Sequence, residues 1–80
     1  MRVSLFALVA LLIAGPALAD DKAACTDGIG MIRGELGKNP AEPLQGKLKK
    51  ALRVAERELG EGEFDECLDA VGDARRALKP

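Results

Sequence analysis

Two cysteines are the side chains of this sequence with the clearest chemical potential. Cys25 and Cys67 are its only cysteines, and a pair of thiols can form a disulfide, bind a metal or carry out redox exchange. They are too far apart for a C-x-x-C redox motif, and the chain has no histidine that could complete a zinc site. We therefore expect a structural disulfide between Cys25 and Cys67.

Three aspartates are a second candidate group. Asp65, Asp69 and Asp73 recur at every fourth residue, which places three carboxylates on one ridge of a helix. Carboxylate oxygens suit a hard cation such as calcium, but a straight ridge cannot surround an ion with six or more oxygens, and no loop has EF-hand spacing. We interpret the ridge as a solvated face that can pair with basic residues, and we keep a cation-binding face as the alternative.

Five basic residues cluster in the middle of the chain, and they are Lys47, Lys49, Lys50, Arg53 and Arg57. Such a cluster can attract an anionic membrane or a protein partner. Glu56 and Glu58 interrupt it, and no aromatic residue lies close by to anchor in a membrane interface. Membrane binding is therefore the weaker of the two interpretations.

The composition leaves few groups for catalysis. From residue 20 onward, Thr26 is the only hydroxyl side chain, Phe64 is the only aromatic ring, and histidine, serine, tyrosine and tryptophan are absent. Nucleophilic catalysis needs an activated Ser, Cys or Thr beside a base, and paired carboxylates need a walled cleft. A formal net charge of -1 also indicates no nucleic-acid partner. We expect a protein that is not an enzyme and needs no cofactor.

The first nineteen residues have the pattern of a cleavable secretory signal peptide. Arg2 precedes an apolar run, residues 3–14, that is shorter than the about 20 residues of a transmembrane helix. Gly15 and Pro16 are expected to end the helix of this apolar run. The small residues that signal peptidase requires at its cleavage site follow them. The residues of the expected cleavage site are Ala17, Ala19 and Asp20, the last becoming the new N-terminus.

Two other fates of this segment are less well supported. A permanent anchor is disfavoured because charged residues, Asp20 to Lys22, follow the site at once, and a lipid on Cys25 is disfavoured because Lys22 stands where a lipobox requires a Leu-like residue.

Export places both thiols in an oxidising compartment, which favours the disulfide. A core of about sixty residues needs such a cross-link, and a loop of about forty residues contributes about 4 kcal/mol when it is closed.

The first of three predicted helices runs from about Asp21 to Leu36. Its inward face consists of Cys25, Ile29, Ile32 and Leu36, at the spacing of an amphipathic helix. Gly28, Gly30 and Gly34 each lower its stability by roughly 1 kcal/mol relative to alanine. We interpret them as marks of a marginal helix that the disulfide and its neighbours hold in place, and we keep close helix packing or a hinge as the alternative.

The second and third helices are predicted to form a hairpin. Asn39 is expected to cap the second helix with Pro40 at its first position, unless the helix starts at Glu42, and Gly60 suits the left-handed position at its end. The third helix runs from about Glu63 to Leu78, with acidic residues first and basic residues last, as the helix dipole favours. The predicted inward residues are Leu44, Leu48, Ala51, Leu52, Ala55, Leu59, Phe64, Cys67, Leu68, Val71, Ala74 and Leu78.

The hairpin carries a recognisable pattern. Residues 62–68 read Gly-Glu-Phe-Asp-Glu-Cys-Leu, and Ala74 and Pro80 follow them. With Ala55, this pattern resembles a single tetratricopeptide-type hairpin over residues 51–80, although Glu58 stands where that family has an aromatic residue. The resemblance implies two antiparallel helices and a protein-binding surface, in a unit that normally stacks on further copies.

These observations predict an all-α fold, with a signal peptide over residues 1–19 and a small three-helix bundle over residues 20–80 in which the disulfide joins the first helix to the hairpin. We expect a non-enzymatic protein of the periplasm or a secreted protein that binds another periplasmic protein. Its expected binding surface is a groove beside the first helix together with Met31 and Val54. Membrane contact is expected only through the signal peptide before cleavage. The alternative is a cation- or envelope-binding protein that uses the acidic face.

Overall fold

The protein is a bundle of three helices, as the computed structural model shows. The backbone is described for residues 2–80 and the side chains for residues 20–80. The helices are α1 (Arg2–Gly37), α2 (Leu44–Gly60) and α3 (Phe64–Leu78), with no strand between residues 2 and 80. The predicted all-α, three-helix architecture is therefore confirmed.

α1 begins much earlier than predicted, at Arg2 rather than at about Asp21. Gly15 and Pro16 do not end the helix, because a proline inside a helix weakens or kinks it without having to terminate it. The side chains of the predicted signal peptide, residues 1–19, lie outside the described residues. Among residues 20–80, no helix has both the length and the hydropathy that crossing a membrane requires.

Contacts between the helices define their relative directions. α1 and α3 run parallel, because Cys25 is bonded to Cys67 and Gly28 faces Val71 one turn later. α2 runs antiparallel to both, with Glu56 paired to Arg33 of α1. The predicted helical hairpin of α2 and α3 is thus present, with three residues in its connection.

The core lies where the three helices meet. Its buried residues are Cys25, Ile29, Ile32, Leu48, Ala51, Ala55, Cys67, Ala70, Val71 and Ala74. The predicted inward faces are confirmed in outline, because every other predicted core residue is half-buried. Ala70 is the buried side chain that the periodicity missed. No polar or charged side chain of residues 20–80 is buried.

The connection between α1 and α2 corrects the predicted cap. Asn39 has a φ of 56° and its N–H donates to the carbonyl of Leu36, so it ends α1 in the left-handed conformation instead of capping α2. α2 follows Pro43, which provides no side-chain cap. The Oε1 atom of Glu42 accepts a hydrogen bond of 2.6 Å from the N–H of Gly46. This bond pairs one of the N–H groups that the first turn of a helix leaves without a partner inside the helix.

The connection between α2 and α3 corrects the predicted role of Gly60. Gly60 is the last residue of α2, and Gly62, with a φ of 76°, takes the left-handed conformation. The N–H of Glu63 donates to the carbonyl of Glu58 and the N–H of Gly62 donates to that of Leu59. These two bonds form a Schellman motif, which turns the chain directly into α3.

Candidate functional site

The predicted disulfide is present and joins α1 to α3. The Cα atoms of Cys25 and Cys67 are 5.8 Å apart, a distance that a disulfide spans, and the bridge connects residues separated by 42 positions. Both cysteines are fully buried. The bridge is therefore a cross-link inside the core, out of reach of dissolved thiols and metals while the protein is folded.

Gly28 allows α1 and α3 to approach closely. A Cβ at this position would lie 2.5 Å from Cγ1 and 2.6 Å from Cγ2 of Val71, closer than packed side chains come. Close packing is therefore the correct interpretation of this glycine. A Cβ at Gly30 or at Gly34 would meet nothing within 4 Å, so internal packing explains neither of them.

The acidic ridge lies on the exposed side of α3. Asp65, Asp69 and Asp73 are all exposed, and the guanidinium group of Arg76 donates a hydrogen bond to Asp73 on the same helix. No ion pair within residues 20–80 links this ridge to the basic residues of α2. In the same part of the chain, no group of three or more acidic or cysteine side chains is placed to hold a metal ion.

The basic cluster of α2 is also exposed. Arg57 pairs with Glu58, with 3.3 Å between Nε and Oε1. The remaining basic residues of the cluster are Lys47, Lys49, Lys50 and Arg53, and within the described side chains they take part in no ion pair. They are free to attract an anionic group from outside the molecule.

A groove of about 450 Å³ opens between α1 and α2, and we call it the α1–α2 groove. Its lining residues are Thr26, Ile29, Gly30, Arg33, Glu56, Leu59 and Gly60. This is the place predicted for a binding groove, beside the first helix and next to one of its glycines.

The α1–α2 groove is apolar and electrically neutral at its rim. A Cβ at Gly30 or Gly60 would meet nothing within 4 Å, so these two positions leave open space. The guanidinium group of Arg33 and the carboxylate of Glu56 pair with each other. The hydroxyl group of Thr26 donates to a backbone carbonyl of its own helix at 3.0 Å. The polar groups at the rim are thus already satisfied.

No protein-family model matches this chain, and no curated protein matches it.

A second groove, of about 220 Å³, opens between α2 and α3, and we call it the α2–α3 groove. Its lining residues are Lys47, Lys50, Ala51, Val54, Ala70, Asp73 and Ala77. Unlike the first groove, this one has unpaired lysines at its rim.

Met31 and Val54 were expected to share one binding surface, but they lie on different ones. Met31 and Val54 are both half-buried and pack against the core. Val54 lines the α2–α3 groove, whereas Met31 lines neither groove. The groove beside the first helix is present, but Val54 belongs to the other one.

Of the residues that line the α1–α2 groove, only Gly30 belongs to the predicted surface. Ile29 and Leu59 were assigned to the core, Gly60 to the end of α2, Glu56 to the interruption of the basic cluster, and Thr26 and Arg33 to no binding role. The lengths of the connections provide the signal that would have found them. Short connections make α2 antiparallel to both α1 and α3, and Gly30 then comes to lie near Gly60.

Proposed function

We propose that this protein is a non-enzymatic interaction module of the bacterial periplasm that binds another protein in the α1–α2 groove. The observation that carries the proposal is the pair of glycines, Gly30 and Gly60. A helical glycine lowers stability by about 1 kcal/mol relative to alanine. Neither of these two packs closely against a neighbour or adopts a positive φ. Their lack of a side chain leaves the groove open.

The chemistry of the α1–α2 groove favours a neutral, apolar segment of the partner. Ile29 and Leu59 supply the apolar surface, and the ion pair between Arg33 and Glu56 leaves no unpaired charge to attract a charged ligand. The two glycines let a partner helix come close to the backbone of this protein. This arrangement corresponds to the helix-in-groove mode of peptide recognition.

The disulfide supports the proposed compartment. Disulfides form and persist in oxidising compartments such as the periplasm and the outside of the cell. A Cys25–Cys67 bridge in the core, together with the predicted signal peptide, is typical of an exported protein. Fractionation of the producing bacterium should find the chain in the periplasm, and a cytoplasmic chain would contradict this part of the proposal.

Site-specific photo-crosslinking tests the groove. A photoreactive amino acid replaces Thr26, which is exposed and lines the groove, and the producing bacterium is irradiated. We expect one discrete protein adduct. Gly30→Leu fills the groove and should remove the adduct. The matched control is Gly34→Leu, which adds the same side chain at an exposed helical position outside the groove and should leave the adduct intact.

Three results of this experiment would contradict the proposal. They are the absence of any adduct, an adduct that persists in Gly30→Leu, and an adduct that Gly34→Leu removes equally. Thermal unfolding of both variants establishes that they are folded. Because both replace a helical glycine, both should be at least as stable as the wild type.

A further inference from the structure

The lysines at the rim of the α2–α3 groove have no partner on the opposite helix. Lys47 and Lys50 line one side of this groove and Asp73 lines the other. The carboxylate of Asp73 is instead bound by Arg76 on its own helix. Within residues 20–80, therefore, neither lysine is neutralised.

Helix stability does not explain these lysines. The N-terminal end of a helix carries partial positive charge, which favours acidic and disfavours basic side chains. α2 has no acidic residue in its first turn, yet Lys47, Lys49 and Lys50 all lie in its first two turns. Arg75 and Arg76, by contrast, lie in the last turn of α3, where the dipole favours them. The dipole falls off within the first turn, so it gives no reason for lysines at this end of α2.

The antiparallel register concentrates positive charge at one end of the bundle. The start of α2 lies beside the end of α3, and the exposed basic residues there outnumber the exposed carboxylates of Glu42 and Asp73. These basic residues are Lys47, Lys49, Lys50, Arg75, Arg76 and Lys79. Such a concentration raises the local potential and speeds the approach of an anionic partner. The charge at this end selects a ligand of opposite sign.

The floor of the α2–α3 groove also limits which ligands fit. Ala51, Val54, Ala70 and Ala77 form an apolar floor between the two charged sides. The small alanines leave a concave space of about 220 Å³, which is large enough for an apolar side chain. The matching ligand is therefore both acidic and apolar.

We infer that the α2–α3 groove docks an acidic segment of a partner protein, with an apolar side chain on the alanine floor and carboxylates on Lys47 and Lys50. A membrane fits less well, because a bilayer surface is flat and α2 has no aromatic side chain to insert into it. This site is separate from the α1–α2 groove and does not depend on the function proposed for it.

The test uses a fluorescein-labelled peptide of Glu-Leu-Glu repeats, a control peptide of Gln-Leu-Gln repeats, and phosphatidylglycerol vesicles. Fluorescence anisotropy should show binding of the acidic peptide, weakening as salt rises, and no binding of the control peptide. The variant K47E/K50E should weaken binding about tenfold or more. K49E/R53E makes the same change in net charge outside the groove and should have a much smaller effect.

Several results would overturn the inference. Equal losses in the two variants would show that net charge alone attracts the peptide. Binding to vesicles without binding to the peptide would assign the basic end to a membrane, and binding to neither would remove the site altogether. Circular dichroism and a free-thiol assay on both variants establish that helices and disulfide are intact. Gly30→Leu should bind the acidic peptide as the wild type does, which separates this site from the α1–α2 groove.

Discussion

Gly28 of α1 packs directly against Val71 of α3, so closely that a Cβ at position 28 would lie 2.5 Å from Cγ1 of the valine. Val71 is 3% exposed and branched at Cβ, so it cannot rotate out of the way at low cost. This contact lies one turn beyond the disulfide. Together, the two features hold α1 and α3 at a single short distance.

Gly28→Ala should therefore destabilise the protein although alanine favours helices. Overpacking of a core typically costs 1–3 kcal/mol, which exceeds the gain of about 1 kcal/mol in helix propensity. Gly30→Ala and Gly34→Ala meet open space and should each raise the free energy of unfolding by about 0.5–1 kcal/mol. Urea denaturation of the oxidised proteins measures all three. Recovery in Gly28→Ala/Val71→Ala would identify the clash, and a stabilising Gly28→Ala would refute it.

Reduction of the disulfide should destabilise the protein strongly. The bridge closes a loop of 42 residues, for which the chain-entropy model gives about 4 kcal/mol. A domain of about sixty residues has a total stability of similar size. Denaturation with and without a reductant, and of Cys25→Ala/Cys67→Ala, measures the effect. An unchanged midpoint after complete reduction would show that packing alone holds α1 in place.

Glu42 should contribute to the start of α2. Its carboxylate accepts a hydrogen bond from the N–H of Gly46 at 2.6 Å and carries negative charge beside the helix N-terminus. Glu42→Ala should lower the free energy of unfolding by about 1 kcal/mol, and Glu42→Gln by less, because the amide oxygen can still accept the bond. Glu61→Ala is the matched control, an exposed glutamate after the end of α2. Equal effects at both positions would exclude a capping role.

The sequence was a good guide to what depends on local periodicity. Ile29, Ile32, Leu48 and Val71 are buried because hydrophobic residues at helical spacing must face the same side, and that pattern is legible without a structure. The pairing of Cys25 with Cys67 was also accessible, because no other cysteine competes. These signals were enough for the number of helices and for the cross-link between α1 and α3.

What the sequence could not determine depends on neighbours in space. Gly28 and Gly30 look alike in the sequence, but only Gly28 meets a side chain of another helix. Asn39 is a plausible cap for α2, yet it also tolerates the left-handed conformation that ends α1, and in the structure it takes the second role. Gly60 and Gly62 are in the same way both plausible residues for the left-handed position after α2. The positions of the two grooves depend on how the helices are aligned side by side.

Mass spectrometry of the exported chain tests the expected processing. The mature protein should begin at Asp20, and its mass should be lower by two hydrogen atoms than that of the reduced chain because of the bridge between Cys25 and Cys67. Ala19→Arg places a large charged residue at the expected cleavage site and should leave the precursor uncut. A lipid on Cys25, or two free thiols, would contradict both the export route and the role of the disulfide.

Calorimetric titration with calcium tests the alternative function, a cation site on the acidic ridge. Asp65, Asp69 and Asp73 project from one straight helix, and Arg76 already occupies the carboxylate of Asp73. Six or more oxygens cannot converge on an ion in that arrangement, so we expect only weak, salt-sensitive association. The same titration on Asp69→Asn should then look unchanged. Binding at millimolar concentration or tighter that disappears in Asp69→Asn would instead establish the ridge as a cation site.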